Sequence, residues 1–316
     1  MTRTSQKGFT LVELMISLVL FSVAIAGVLS VAVTMTQGFR EQRQVIATES
    51  SVRAPLEFIA DAIRNASPAV PSGDIQDVKN CVTGAIAVVN NTNAPDQLDI
   101  VYASGSVVTS LRTIYDSTTN LAITVTDASQ LAVGDTLLIT NMTKGHLVDV
   151  TAVNTATGVL ALTAPGCTPA LPVGGYPPGS LVIRALRARF TVDVTGAATD
   201  GVPTLMMDPD ADGPASAEPL AENVEDMQIA VGVDVDLNKG IDAGEWEYSS
   251  GVGALAGAIR AMRITLVARA PNQLQGGTAS FYRPAAEDRP IASTADSYRR
   301  RVLSTTVEIR NLGGSP

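Results

Sequence analysis

From residue 9 to residue 35 the chain reads FTLVELMISLVLFSVAIAGVLSVAVTM, apolar almost throughout and broken by one charge, Glu13. A helix that is hydrophobic all round belongs in lipid or packed protein, not in water. About 20 such residues span a bilayer, so this run is long enough. Beyond Met35 the pattern changes. Through GFREQRQVIATESSVRAPLEFIADAIRNAS, apolar Val45, Val52, Leu56, Ile59 and Ile63 recur at spacings of seven, four, three and four. That spacing gathers them on one helical face, while Arg and Glu fill the others. Pro68 disfavours helical geometry at Ser67 and ends the run. The pattern therefore predicts one helix over 9–66, with Gly38 and Pro55 as points of bending or local melting.

After residue 67 the chain breaks into β-branched runs punctuated by Gly, Pro, Asn and Asp. Strands are expected at 82–89, 97–103, 121–128, 135–141, 146–153, 180–194, 224–233, 259–269 and 300–310. Alternation along Arg184, Leu186, Ala188, Phe190 and Val192, and again along Val302, Ser304, Thr306 and Glu308, predicts an antiparallel sheet with one solvated face. Residues 118–165 read as a small barrel-like β module inserted in this head, and the Pro- and Gly-rich stretch 163–180 as a connecting loop. The fold class is α+β: a long N-terminal helix packed on a mostly antiparallel β head, 67–316.

Composition narrows the partners. The chain has 316 residues, with 22 Lys and Arg against 31 Asp and Glu, for a net charge of −9. That balance argues against a nucleic-acid partner, because a phosphate backbone is held by clustered cations. The two cysteines, Cys81 and Cys167, form no C-x-x-C pair, and the single histidine, His146, leaves no zinc-type ligand set. Two readings stand for the cysteines: one disulfide closing a long loop if the head is exported, or two buried free thiols.

Arg3 and Lys7 precede the apolar run with no acid between them, which holds the N-terminus in the cytoplasm and places the head outside. Ala24-Ile25-Ala26 resembles a signal-peptidase site, yet the apolar run continues well past it, beyond a usual h-region of about 7–15 residues. Neither a secretory signal nor a plain anchor explains Glu13, since an unpaired carboxylate among lipid tails costs about 3 kcal/mol or more. A buried acid there calls for a partner.

The residues KGFTLVELM closely resemble the cleavage and methylation site of type IV prepilins and type II secretion pseudopilins. The resemblance implies a leader of residues 1–8, cleavage by a prepilin peptidase after Gly8, and N-methylation of Phe9. It also implies that Glu13 pairs with the amino terminus of a neighbouring subunit during assembly. Desolvation offsets much of such an ion pair's attraction, so it would act chiefly to fix axial register. Residues 9–35 would be the transmembrane segment and later the filament core. FREQ after the apolar run, NVEDMQIAVGVDVD, and YRRRVLSTTVEIRNL near the end resemble PilW-type minor pilins. That implies a minor pilin that primes assembly in a tip complex with other minor pilins, the major pilin and a large adhesin. It would reside in the bacterial inner membrane with its head in the periplasm, then on the cell-surface pilus. The same-class alternative is a J-type pseudopilin at the tip of a secretion pseudopilus. The alternative of another class is a calcium-dependent surface-binding module on a membrane helix.

That last alternative rests on Asp234-Val-Asp236-Leu-Asn238-Lys-Gly-Ile-Asp242-Ala-Gly-Glu245. As a twelve-residue loop it offers Asp234, Asp236, Asn238, Asp242 and Glu245 to Ca²⁺, with Glu245 as the bidentate closer. Lys239 stands where a glycine is expected, and Gly240 comes one residue late. A second stretch, Asp208-Pro-Asp210-Ala-Asp212-Gly213, opens like such a loop but has Pro219 at the closing position. Solvated turns also favour these residues. The chain carries no G-x-S-x-G, Walker loop, dinucleotide fingerprint or H-E-x-x-H, so no enzyme is expected. His146 is expected at the surface beside a turn, and Arg299-Arg300-Arg301 as a solvated or membrane-proximal basic cluster.

Overall fold

The computed structural model describes residues 10–116, 121–168, 170–197, 199–211, 215–236, 238, 240–248, 259–273 and 280–312. The chain falls into two units, 1–47 and 48–316. One helix, α1 (Leu11–Arg64), runs for 54 residues and is continuous through Gly38 and Pro55, so neither residue melts it. Leu11–Thr36 has a mean hydropathy of 2.6 and no buried residue, which is the sequence's all-round apolar segment seen as structure. From Thr48 onward the helix is amphipathic: Val52, Leu56, Ile59 and Ile63 are buried.

Asn65 and Ala66 close the last turn, and Ser67 leaves it with a positive φ of 57°. The Ser67 amide then donates to the carbonyl of Val101 (2.8 Å), so the helix end is tied at once to the sheet.

Strands follow in chain order. The first group is β1 (Ile75–Asp77), β2 (Val82–Thr83), β3 (Ile86–Val89), β4 (Gln97–Ser110), β5 (Ala122–Thr124), β6 (Thr136–Thr140), β7 (Gly145–Asn154) and β8 (Val159–Leu162). Next come β9 (Leu181–Asp193), β10 (Thr204–Asp208), β11 (Glu218–Glu222), β12 (Val224–Val233) and β13 (Trp246–Glu247). The last are β14 (Ile259–Arg269), β15 (Phe281–Tyr282), β16 (Ala295–Asp296) and β17 (Arg300–Glu308).

Strands β1–β11 form one sheet whose main path runs β11-β10-β9-β6-β7-β1-β2; β4 also pairs with β9, β3 with β4, and β8 joins β5 to β7. A second sheet has the order β13-β12-β14-β17. Among the described residues β1–β7 is the one parallel pair of strands, so the head is mostly antiparallel.

The largest core joins the amphipathic half of α1 to both sheets, through residues such as Ile86, Leu98, Ile100 and Phe190 on one and Ile229, Met262, Ile264 and Val307 on the other. A second core lies within and around β5–β8, built on Ile123, Val125, Leu137, Val148 and Leu160. The strands of that region are not a detached barrel: β6 pairs with β9. Ile309 and Leu312, just past β17, complete the main core, and the Asn311 amide donates to the carbonyl of Ala66 (3.1 Å).

The expected solvated face is present on β17 but not on its neighbours. In β12 every residue but Glu225 is buried. The helix covers one face, and loops cover the other. Gln228 donates to the carbonyl of Ala94 (3.0 Å), and Glu287 reaches across to Arg263 (2.6 Å) and Thr265 (2.6 Å).

Candidate functional site

The apolar half of α1 holds its polar groups by local bonds. Ser17, Ser22, Thr34 and Thr36 each turn their hydroxyl back onto a carbonyl one turn earlier, at 2.7–3.0 Å. This back-bonding gives each of these four hydroxyls a partner within the helix, as apolar surroundings would require. Glu13 is held the same way. Its carboxylate accepts from the Thr10 amide (3.1 Å) and from the Thr10 hydroxyl (3.0 Å), while the Glu13 amide donates back to Thr10 Oγ1 (3.3 Å). This is a capping box, in which the N-cap threonine and the acid three residues on satisfy each other's amides. In the sequence this pair is a Thr-x-x-Glu spacing at the start of the apolar run. Gly8 and Phe9 lie outside the described residues.

The loop after β12 brings together part of the proposed calcium set. Carboxylate oxygens of Asp234, Asp236 and Glu245 lie within 4.8 Å of one another. Asp242 is not in that group. The Asn238 side-chain amide donates to Asp236 (3.0 Å) and Asp242 (3.2 Å), and its oxygen accepts from the Gly240 amide (2.6 Å). Glu245 accepts from the amides of Asp242 and Val235 (both 2.9 Å), which hold its carboxyl below the usual range. Asp234 is buried and pairs with Arg260 at 3.2 Å. The loop thus has three oxygens poised for a hard cation, beside a guanidinium that already offsets one of their charges. Ile241 packs on Gly232, where an added Cβ would come within 3.0 Å of it.

The second acidic stretch is a turn. Asp208, at the end of β10, accepts from the amides of Asp210 and Ala211, and the Ser216 hydroxyl bonds both Asp208 (3.0 Å) and Asp210 (2.9 Å). Asp212 and Gly213 lie outside the described residues.

Two surface expectations are corrected. His146 is buried (1 % exposed) at the centre of a polar cluster. Its Nδ1 lies 2.7 Å from the Tyr176 hydroxyl and its Nε2 3.1 Å from Gln76 Oε1. Burial lowers its pKa to about 4. Parallel pairing of β7 with β1 carries it inside, and nothing near it in the chain announces that. Arg300 is half-buried and paired rather than solvated: Glu225 and Asp296 both grip its guanidinium, at 2.6 and 2.5 Å. Neighbouring Asp226, fully buried, is held between Arg283 (2.9 Å) and Arg289 (2.6 Å).

Cys81 and Cys167 are brought together from 86 positions apart. Both are thiols here, Cys81 exposed and Cys167 half-buried. Cys167 hydrogen-bonds Cys81, and burial pushes the Cys167 thiol up to about 11.

Residues 189–311 match the family described as Type IV Pilus-assembly protein W, and residues 3–29 match the prokaryotic N-terminal methylation motif. No curated protein matches the chain. Among solved structures it is similar to the Type IV-like pilin TTHA1219 from Thermus thermophilus, at 10% identity and a TM-score of 0.38, over 83% of this chain and 95% of that one. The match to the methylation motif thus leads into an exposed apolar helix, and the match to the pilus-assembly family falls on the last part of the β head.

Proposed function

We propose that this protein is a minor pilin that primes type IV pilus assembly and joins a tip complex with other minor pilins, the major pilin and an adhesin. A prepilin peptidase removes residues 1–8 and Phe9 is N-methylated. The head waits in the periplasm while the apolar half of α1 lies in the inner membrane. No catalytic role is proposed.

The observation that carries this reading is the apolar helix Leu11–Thr36, exposed throughout, with its one carboxylate at Glu13. In the free subunit the capping box lowers the cost of that charge. On assembly Glu13 exchanges part of this local bonding for the amino terminus of a neighbour, and a subunit at the wrong height would leave two charges unpaired. Glu13→Ala should therefore leave removal of residues 1–8 intact while filament incorporation falls at least tenfold, measured by mass spectrometry and by immunoblot of sheared pili. Normal incorporation would remove this account. Deleting the gene and assaying surface pili beside protein secretion separates the pilus from a secretion pseudopilus.

A second reading, calcium binding at 234–245, is favoured by the three gathered carboxylate oxygens. Asp234, Asp236 and Glu245 would supply the ligands. Excess calcium should then raise the melting temperature of the head above that in chelator by about 2 °C or more. Equal melting temperatures would end that reading.

A further inference from the structure

The β1–β2 turn and the loop before β9 are pressed together more closely than two surface segments need to be. The Gly166 amide donates to the carbonyl of Val78 (2.8 Å), and a Cβ at Gly166 would fall 2.4 Å from the carbonyl oxygen of Lys79. Only glycine permits that approach.

On the other side of the contact, Asp77 shapes the turn. One of its oxygens accepts the amides of Lys79 (3.0 Å) and Asn80 (3.1 Å), and the other lies 3.4 Å from the buried Arg187. Arg187 in turn donates to the carbonyl of Gly84 (2.8 Å). The turn is thereby anchored to β9 from beneath. It ends at Cys81, held at a φ of 60°, a backbone conformation uncommon for any residue but glycine.

Gln76 works from the strand. Its amide lies 3.8 Å from Cys167 Sγ and 3.5 Å from the Thr168 carbonyl, and its oxygen accepts the Ala170 amide (2.8 Å). Cys167 Sγ also lies 3.7 Å from the Val78 carbonyl. The segments that carry both cysteines are thus fixed by Asp77 and Gln76, with the two thiols in hydrogen-bond contact.

We infer that Cys81 and Cys167 form an intramolecular disulfide that staples the β1–β2 turn to the loop before β9. The inference rests on the reading that the head is exported, since disulfides persist in an oxidising compartment. The chemistry is exchange with a disulfide donor, such as a protein disulfide or oxidised glutathione. Cys81, the exposed thiol, loses its proton and attacks one donor sulfur, which forms a mixed disulfide and expels the donor's other sulfur as thiolate. The Cys167 thiolate then attacks Cys81 Sγ and expels the second donor sulfur. Two protons and two electrons leave the pair, and the donor is reduced to two thiols. The half-buried Cys167, whose thiol is pushed up, suits the resolving role.

The test uses the full chain. Trypsin would leave Cys81 in peptide 80–112 and Cys167 in peptide 145–184. Membranes from the producing bacterium are quenched with an alkylating reagent, solubilised in detergent and digested without reductant. Protease added to spheroplasts reports separately on which side of the membrane the head lies. The expected result is a linked 80–112/145–184 species in monomeric chain, abolished by Cys81→Ser, and a head melting temperature that falls by about 5–15 °C on reduction. A head accessible outside but with both thiols alkylated overturns the inference, as does a dimer linked through two copies of peptide 80–112. If the head is inaccessible, the purified reduced chain is exposed to oxidised glutathione. Formation of the same linked species then supports the pairing while the export reading fails, and its failure to form overturns the pairing itself.

Discussion

The apolar stretch of α1 and the β head satisfy their polar groups in opposite ways. Along Leu11–Thr36 each described partner is a turn away: Thr10 for Glu13, the Ser30 carbonyl for Thr34. In the head the buried charges reach across the chain: Asp99 to Arg189 (2.9 Å), Asp77 to Arg187, and Asp226 to Arg283 and Arg289. Under the proposed function, a segment that travels from lipid to a filament core would keep bonds it can carry along. A head that folds once can use partners fixed by its fold. Changes in the two regions should therefore appear in different measurements.

The largest expected effect is in the head. Asp226→Ala leaves two arginines facing a buried gap and should lower head stability by about 3–5 kcal/mol, read by urea denaturation. Leu18→Ala, in the apolar stretch, should leave the same midpoint within about 0.5 kcal/mol. Equal effects would erase the distinction between the regions.

The next concerns pH, where the head holds two opposed groups. His146 titrates near 4 instead of 6.5, so the unfolded chain binds its proton more readily, and its contribution to stability is lost as pH falls from about 6.5 towards 4. Burial raises Asp96 to about 7, against the amides of Asn91 and Ile229 that it accepts, so its contribution is present at low pH and lost as pH rises from about 4 through 7. Each is worth about 3–4 kcal/mol at full extent, with opposite sign. Acidifying from pH 7 to 4 should destabilise Asp96→Asn, and stabilise His146→Gln, each relative to the parent chain. Parallel urea midpoints across pH for all three proteins would contradict this.

The smallest effect is in the helix start. Thr10→Val removes the reciprocal bonds and should cost about 1 kcal/mol at the first turn, seen as roughly fivefold faster amide exchange at residues 11–14 in micelles. The head's melting temperature should not move.

The same contrast explains what could be read from the sequence. Where structure follows local pattern, reading succeeded: the stripe Val52, Leu56, Ile59 and Ile63 is buried as spaced, and the strands at 224–233 and 259–269 have their expected bounds. Three residues of β1 gave no periodic signal, and TLMMD of β10 lay hidden in the approach to an acidic turn. The surroundings of His146 and Arg300 depend on partners contributed by distant segments, which no local window contains. Glu13 was legible as an anomaly, and Thr10 as its local answer only once the helix start was seen.

One consequence follows from the last strand. Val307, Ile309 and Leu312 finish the core that Ile59 and Ile63 begin, and Asn311 bonds the carbonyl at the end of α1. Contacts spanning some 250 residues close late, because loop-closure entropy must be met before they contribute. The head's folding is therefore gated by its final strand: until β17 arrives, β14 remains an open edge and the helix stripe half covered. A chain in which β17 is unpaired would therefore expose both that edge and the helix stripe to proteases.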